Sequence, residues 1–413
     1  MMRTASASSA SVRSDRRSFL ARSLGGAATA VAATGAPLGG LFAAGRERLS
    51  IGLIGCGGRG TGAAVQAALG CPAVEITCLA DRFADQLAGS ADRLERLAGA
   101  AFRCPPERRH VGADAWRSVI DSDVDLVILA TPPHLRPAQA AAAVAAGKHV
   151  WCETPAAVDL AGIGLVATAC AAARRMGLSF ASGLCSRHDP DLAAVMARIH
   201  AGDVGRPRAV VARHEIGLPW IRPAGSTSST AEWRLRNWIW LTDLSGGPLV
   251  EHHADALDRG LWALGDMNPV CAIPLPPPAP SLGARPATEG PGGGDRLPEP
   301  GGLAVRYAFA DGRTLDAVVA RRSGPPDRIA ETARCRGGAI DLRAPVATAA
   351  ARPVDPHAAA MQRLTGGVLR GDRIDDGHTL VRVGHAAVLG RLACEAGHAL
   401  PWAPLPAAGP QPV

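Results

Sequence analysis

The stretch of sequence that decides the fold is Leu49-Ser50-Ile51-Gly52-Leu53-Ile54-Gly55-Cys56-Gly57-Gly58-Arg59-Gly60. It begins as a short apolar run, typical of a buried parallel strand, and ends with the spacing Gly-x-Gly-x-x-Gly. A helix is predicted at 61–69, and a second apolar strand at 74–79 leads to Asp81. A strand, a glycine-rich turn, a helix and an acidic residue after the next strand together predict a dinucleotide-binding βαβ unit.

The glycines of this turn have different predicted tasks. Gly55 allows the tight turn, Gly57 lets the main chain approach a pyrophosphate, and Gly60 lets the helix pack closely on the strand. Gly58 and Arg59 lie just before the predicted helix, and the free N–H groups of a helix N-terminus attract phosphate. All five residues are therefore predicted to bind the cofactor.

Asp81 and Arg82 bear on the identity of the dinucleotide. The Asp81 carboxylate would accept hydrogen bonds from the adenosine ribose hydroxyls, which favours NAD. Arg82 directly after it could instead attract a 2′-phosphate, so NADP remains an alternative.

A third strand is predicted at 125–130, and it ends in Thr131-Pro132-Pro133-His134. Ligands of parallel sheets lie beyond the carboxyl ends of the strands, so Thr131, Pro132 and His134 are predicted to line the cofactor site. His134 could contact the nicotinamide ribose, or it could be an exposed loop histidine.

After about residue 173 the alternation of strands and helices changes. Strands and helices are predicted there at 189–201, 208–214, 246–264, 305–309, 315–320, 339–342, 357–369 and 378–396. We predict an α/β chain with an N-terminal Rossmann doubly wound parallel sheet at 46–172 and a C-terminal α+β domain at 173–413. The second domain should contain a large open, mostly antiparallel sheet, and the Pro/Gly-rich stretch 269–302 should be a loop or insertion.

The first 45 residues are predicted to be a signal peptide. Asp15-Arg16-Arg17-Ser18-Phe19-Leu20 matches a twin-arginine motif, and a weakly apolar stretch rich in Ala and Gly follows at 24–44. We expect export to the periplasm by the twin-arginine machinery; the alternatives are an uncleaved anchor or an ordinary basic N-terminus. This route carries folded proteins, so a cofactor could be loaded before export.

Composition excludes some classes of protein. The 413 residues are 47 % hydrophobic, which indicates a globular chain. The net charge is +7, but the basic residues form no stripe and do not alternate with aromatic residues, so nucleic acid is not an expected partner. None of the ten cysteines lies in a C-x-x-C motif, so no metal site is predicted and buried thiols are expected.

Eight motifs, taken in order, resemble the Gfo/Idh/MocA family, the relatives of glucose–fructose oxidoreductase and inositol dehydrogenase. They lie at 55–60, 130–134, 147–150, 153–155, 187–190, 232–238, 245–247 and 250–258. The resemblance implies a Rossmann domain followed by a domain with a large open sheet. It also implies NAD(P), sugar or cyclitol substrates, and homo-oligomers built on that sheet.

The chain departs from the family pattern in the fourth of these motifs. The family usually has Glu-Lys-Pro where this chain has Glu153-Thr154-Pro155, and that lysine assists proton transfer. Thr154 cannot titrate at ordinary pH, and the single lysine of the chain, Lys148, precedes Glu153 by five residues. Glu153 is expected beside the cofactor and Thr154 beside the reacting groups.

A second departure lies in the motif at 250–258, where Asp255 replaces the usual histidine. Glu251 and Asp255 are four residues apart and share a helix face, so one of the two carboxyls could hold a proton near neutral pH. They are the candidate acid–base pair; the alternative is that one of them pairs with Arg236 or Arg259. His253 points to another helix face and could serve as the base only if the helix were rotated.

Four further residues are candidates for binding the substrate. Arg187 and Arg236 could hold hydroxyls or a carboxylate. Trp233 and Trp238 could stack on sugar rings, although packing in a core is an equal alternative.

Three functions are compatible with these residues. The first is an exported NAD(P)-dependent oxidoreductase acting on a sugar, a cyclitol or a derivative, with a tightly bound cofactor. The second is redox-assisted glycoside cleavage with bound NAD. The third is a catalytically impaired protein that binds the cofactor or a partner, because both usual catalytic residues are replaced.

Overall fold

The computed structural model describes residues 47–223, 229–278, 291, 297, 301–322, 327–343 and 354–406. The predicted signal at 1–45 lies outside these residues. In the described part of the chain, no helix is both long and apolar enough to cross a membrane.

Six parallel strands form the first sheet, in the order β3-β2-β1-β4-β5-β6. They are β1 (Leu49–Ile54), β2 (Val74–Asp81), β3 (Arg109–Val111), β4 (Leu126–Leu129), β5 (His149–Cys152) and β6 (Phe180–Ser182). The strand order reverses between β1 and β4, which is where doubly wound sheets bind ligands. The predicted Rossmann sheet is confirmed.

Five helices connect these strands: α1 (Gly58–Gly70), α2 (Ala84–Ala98), α3 (Ala115–Ile120), α4 (Arg136–Ala145) and α5 (Leu160–Arg175). The last of them leads into β6, which pairs with β5. The predicted domain boundary at residue 172 therefore falls inside a crossover helix of the first sheet, and the sheet extends to residue 182.

Seven strands form the second sheet, in the order β12-β11-β7-β10-β9-β8-β13. They are β7 (Pro207–Gly217), β8 (Cys271–Pro274), β9 (Gly302–Ala308), β10 (Thr314–Arg322), β11 (Arg328–Cys335), β12 (Gly338–Asp341) and β13 (Leu400–Pro401). Among the described strands β7 and β10 pair in parallel, and the other neighbours pair antiparallel. The predicted second domain with a mostly antiparallel sheet is confirmed.

The prediction of a loop over the whole of 269–302 needs correction at its start. Cys271–Pro274 is β8, which pairs with β9 and β13 and buries Ala272 completely. Pro274 ends the strand, because proline has no N–H to continue the ladder. Leu297 is also buried, whereas most of the remaining segment lies outside the described residues.

Six more helices complete the fold: α6 (Pro190–Ala201), α7 (Thr230–Arg236), α8 (Thr242–Ser245), α9 (Gly247–Ala263), α10 (Pro356–Arg370) and α11 (Gly377–Ala396). Helix α9 packs on strands β7 and β10, and α11 packs on α9 and on β8 and β9. The C-terminal helices also return to the first domain, since α10 packs on α1 and α11 on α5. One hydrophobic core therefore runs from the first sheet to the second.

Candidate active site

The glycine-rich turn between β1 and α1 fits a dinucleotide phosphate. Gly55 has φ +97°, and a Cβ there would lie 2.6 Å from the main chain of Ala130. A Cβ on Gly60 would lie 2.0 Å from the carbonyl oxygen of Gly55. In front of Gly57 and Gly58, by contrast, the space is open, and α1 begins without a capping side chain. The first N–H groups of α1 are thus available to a phosphate.

Asp81 lies at the end of β2, beside this turn. Its carboxylate accepts hydrogen bonds from the main-chain N–H of Cys56 (2.7 Å) and of Phe83 (2.8 Å). Burial raises the pKa of the Asp81 carboxyl, and the two N–H donors oppose that shift. The residue fixes the turn and still has lone pairs for a ribose, while Arg82 is exposed.

The residues after β4 line the same edge of the sheet. Thr131 Oγ1 donates to Gln139 (2.6 Å), and Pro132 accepts a main-chain hydrogen bond from Leu135 (3.1 Å). His134 is half-buried, and its Nδ1 donates to the carbonyl oxygen of Leu244 in α8 (3.1 Å). His134 thus ties the first domain to the second and is not an exposed loop histidine.

Glu153, at the end of β5, is buried and turned toward the glycine-rich turn. Its Oε1 accepts from Trp151 Nε1 (2.8 Å) and from Arg59 Nε (3.1 Å). Arg59 also donates to Gln66 (2.6 Å). Glu153 therefore holds Arg59, at the start of α1, next to the predicted phosphate site.

Three polar side chains lie where the first domain meets α9: Thr154, Glu251 and Asp255. We call this region the cleft. Thr154 Oγ1 and Glu251 Oε2 are buried atoms without a hydrogen-bond partner. Arg136 donates to the carbonyl oxygens of Glu153 and Pro155, on either side of Thr154. Because the charge of Arg136 also acts on Glu251, these groups of the two domains lie near one another.

The two carboxyls of the cleft have unusual acidity. Burial raises the pKa of Glu251 to about 8, against the opposing charges of Arg136 and Arg321. Loss of water around the carboxyl on burial also raises the pKa of Asp255, and the charge of Glu153 adds to that shift. The Asp255 side chain nevertheless remains accessible to water. The pair can therefore hold a proton near neutral pH.

His253 lies on the opposite face of α9 and does not reach the cleft. It is fully buried, and its ring packs edge-on against His214, with the ring centroids 4.5 Å apart. Burial lowers the pKa of His253 to about 3, so the ring is neutral. The rotation of the helix that would make His253 a base does not occur.

Arg187 is not free to bind a substrate. Its guanidinium donates to Asp258 (2.7 Å) and to Asp266 (2.6 Å), and both arms of the fork are used. It holds α9 to the chain that follows the helix, which is a structural task.

Arg236 contacts the first domain instead of the cleft. It donates to both oxygens of Asp85 (3.0 Å each) and to Glu232 (2.8 Å), and its guanidinium carbon lies 4.0 Å from the ring centroid of Phe83. We call Phe83, Asp85, Glu232 and Arg236 the interdomain clasp. It lies next to Asp81, at the predicted adenosine end of the cofactor site.

The tryptophans divide between core and surface. Trp233 is 1 % exposed and belongs to a small core with Trp240 and Leu297, which excludes stacking on a sugar. Trp238 is half-buried and packs edge-on against Trp220, at 6.2 Å between ring centroids.

Sequence reasoning missed two arginines at the cleft, Arg136 and Arg321. Arg136 begins α4 only two residues after His134, so its position was a usable signal. Arg321 lies one residue before the end of β10, about 70 residues after Glu251. It comes near Glu251 only because β10 packs on α9, and the local sequence gives no sign of this.

Comparison with known proteins agrees with this geometry. Residues 49–181 match a family model described as an oxidoreductase family with an NAD-binding Rossmann fold. The first domain of this chain therefore matches the NAD-binding Rossmann domain of the Gfo/Idh/MocA oxidoreductases. Inositol 2-dehydrogenase 1 of Saccharopolyspora erythraea is 31 % identical over 157 residues, which are 37 % of this chain and 46 % of that protein. The alignment thus spans less than half the length of this curated relative.

Several solved structures resemble this chain in fold over both of its domains. Myo-inositol 2-dehydrogenase from Lactobacillus plantarum superposes with a TM-score of 0.63 at 15 % identity, covering 86 % of this chain and 99 % of that one. Levoglucosan dehydrogenase in complex with NADH and L-sorbose gives a TM-score of 0.61 at 16 % identity, covering 87 % and 99 %. At these identities the likeness shows the fold.

Proposed function

We propose that this protein is an NAD(P)-dependent oxidoreductase that acts on a sugar, a cyclitol or a derivative, with Glu251 and Asp255 as its proton-transfer groups. The observation that carries the proposal is the meeting of two features at one edge of the first sheet. One is the open, uncapped glycine turn, and the other is the pair of carboxyls with raised pKa values. A cofactor site beside groups that can hold a proton is what hydride transfer to or from a hydroxyl carbon requires.

The cofactor would be held by the residues around the glycine-rich turn. Gly57 and Gly58 offer the main chain to the phosphates, and Asp81 faces the adenosine ribose. The carboxylate at Asp81 favours NAD over NADP, because a 2′-phosphate would be repelled there. When bound, the dinucleotide supplies the hydride chemistry.

The chain's own residues would orient the substrate and move its proton. Glu251 is protonated at neutral pH and can donate to a substrate oxygen, or accept its proton above about pH 8. Asp255 faces water and can exchange that proton with solvent. The unpartnered Thr154 hydroxyl is placed to hydrogen-bond a substrate hydroxyl, as a replacement for the family's lysine that orients but does not titrate.

Export belongs to the same proposal. Free NAD is scarce outside the cytoplasm, so a twin-arginine substrate of this kind should carry its cofactor from the cytoplasm and retain it. The interdomain clasp supports retention, since it joins the two domains beside the adenosine end of the site. A homo-oligomer built on the second sheet is part of the proposal as well.

The first experiment is to purify the full chain, denature it, and identify released dinucleotides by mass spectrometry. We expect about one NAD per chain. A Gly60→Val variant serves as control and should be purified empty, because its side chain would overlap the Gly55 carbonyl. Wild-type protein that is empty and also fails to bind added NAD and NADP would contradict the proposal.

Turnover is tested next, by following NADH absorbance with a panel of inositols and aldoses. We expect Glu251→Gln to lower kcat at least about a hundredfold, the usual size of a general acid–base contribution. Asp203→Asn, which changes an exposed carboxylate of the second domain away from the cleft, is the matched control. Equal kcat values for wild type and Glu251→Gln would remove Glu251 from the mechanism.

A further inference from the structure

The two most deeply buried arginines of the described chain, Arg136 and Arg321, have no carboxylate in direct contact. Each is 4 % exposed. Other arginines of the second domain with partly buried side chains behave differently: Arg187 holds two aspartates, and Arg259 holds both oxygens of Glu331 at 2.6 Å. Burying a charge without a counter-charge lowers the stability of the folded state, so the burial of Arg136 and Arg321 needs a physical explanation.

Arg136 is satisfied by the main chain. Its guanidinium donates to the carbonyl oxygens of Thr131, Glu153 and Pro155, which together form a ring of acceptors around it. No ligand is needed to explain this residue.

Arg321 is only partly satisfied. Its Nη2 donates to the carbonyl oxygen of Ile239 (2.8 Å) and to His252 Nε2 (3.2 Å), and its guanidinium carbon lies 5.0 Å from the ring centroid of Trp240. Its Nε–H is buried and has no acceptor. The guanidinium group of Arg321 therefore has one N–H without an acceptor, and its positive charge has no carboxylate in contact.

The nearest acidic group does not supply what Arg321 lacks. The charge of Glu251 acts on Arg321, but no ion pair joins the two among the described contacts. Burial raises the pKa of Glu251 to about 8, so its carboxyl is mostly neutral at pH 7. Glu251 Oε2 is itself unpartnered, so each of the two residues keeps one buried polar atom that makes no hydrogen bond.

We propose that Arg321 binds the carboxylate of a sugar-acid substrate at the cleft, with Glu251 as the neighbouring hydrogen-bond donor. The proposal rests on the proposed function and specifies its substrate class. A carboxylate matches the planar guanidinium fork, accepts its free N–H and neutralises its charge. A neutral sugar would leave that charge unpaired.

The test compares pairs of sugars that differ in one carboxylate. D-glucuronate and D-glucose, and D-galacturonate and D-galactose, are titrated calorimetrically into the full chain saturated with NAD. We expect each uronate to bind at least about tenfold tighter than its neutral partner, the effect of one charged hydrogen bond. Arg321→Met should reduce that ratio to about one with little change for the neutral sugar, and Arg321→Lys should retain part of it.

Arg306→Met, which removes an exposed arginine from the neighbouring strand, is the control and should keep the full preference. Equal binding of acid and neutral sugars by the wild type would overturn the inference, and so would a preference that survives in Arg321→Met. Acetate that binds as tightly as the uronates would also overturn it, because the site would then recognise only a small anion.

Tryptophan fluorescence on the same samples reports NAD binding separately and shows that each variant is folded. Loss of NAD binding with a retained uronate preference would count against the proposed function alone. Normal NAD binding without that preference would count against the inference alone.

Discussion

Glu251 shows how one side chain can acquire a property that its residue type does not have. A glutamate in water is ionised at pH 7, but the burial of Glu251 on α9 favours its neutral form. Arg136 and Arg321 oppose this shift without cancelling it. The consequence is a proton held near neutral pH at the cleft.

Replacement of this carboxyl should change how stability depends on pH. The folded pKa of about 8 lies above the ordinary 4.5, so the folded state binds more protons and stability falls as pH rises through this window. Glu251→Gln should flatten that fall and raise Tm at pH 8, by about 2–4 °C per kcal/mol of relieved cost. Thermal unfolding from pH 5 to 8 measures it, and parallel curves for both proteins would contradict it.

Asp81 should decide the choice of cofactor. Asp81→Ser removes the charge that opposes a 2′-phosphate and leaves the exposed Arg82 beside it. We expect the ratio of NAD to NADP affinity to fall at least about tenfold. Titration of both cofactors checks this, with Asp92→Ser on α2 as control; an unchanged ratio would show that Asp81 only fixes the turn.

At the scale of elements, α9 is held by the ionic contacts of Arg259, four residues after Asp255 on the same side of the helix. Arg259 joins Glu331 of β11, Glu331 accepts from His214 of β7 (2.7 Å), and Arg259 also donates to Ser186 (2.7 Å). These contacts link the helix, two strands and the segment that leaves the first sheet. They fix the side of α9 that turns Glu251 and Asp255 toward the cleft.

Breaking this network should be costly. Against its burial, hydrogen bonds from Arg259 and His214 lower the pKa of Glu331 from its ordinary 4.5 to about 2. The contribution of Glu331 to folding stability is therefore present above pH 4.5 and is lost as pH falls toward 2. Glu331→Gln should lower the free energy of unfolding by about 3–5 kcal/mol at pH 7 and weaken the acid dependence. Urea titrations measure this, with the exposed pair variant Asp316→Asn expected to lose under about 1 kcal/mol. Equal losses in the two variants would argue against the network.

At the scale of the whole molecule, the C-terminal helices and the interdomain clasp hold the two domains together. Helix α10 packs on α1 and α11 packs on α5, so the last two helices return to the first domain. The clasp adds a polar contact at the edge of the cofactor site. Opening this contact would expose the predicted adenosine end.

Arg236→Ala should therefore speed the release of NAD. One exposed ion pair and one cation–π contact are together worth about 1 kcal/mol, so the dissociation rate should rise about fivefold. Stopped-flow displacement of NAD measures the rate, and Arg234→Ala, on the same helix, is the control. Identical release from Arg236→Ala and wild type would leave the clasp without a role in retention.

The sequence by itself determined the first domain. The run from Leu49 to Gly60, the strand before Asp81 and the apolar strand 126–129 specify a buried parallel sheet through local signals, because parallel strands are buried on both faces and read as continuous apolar runs. The glycine turn was predictable for the same reason: its steric requirements are local. The hairpin around Asp311-Gly312 in the second sheet was predictable from its turn residues.

Strand β11 was missed, because its buried positions are Glu331 and Ala333 and its sequence has no apolar run. The face of α9 on which His253 lies, and the failure of Arg187 and Arg236 to reach the cleft, depended on partners 39 to 151 residues away in the chain. Only the tertiary structure decided the positions of these three side chains. Burial and charge pairing arise when segments distant in the chain come into contact, and a local sequence pattern does not specify which distant segment that will be.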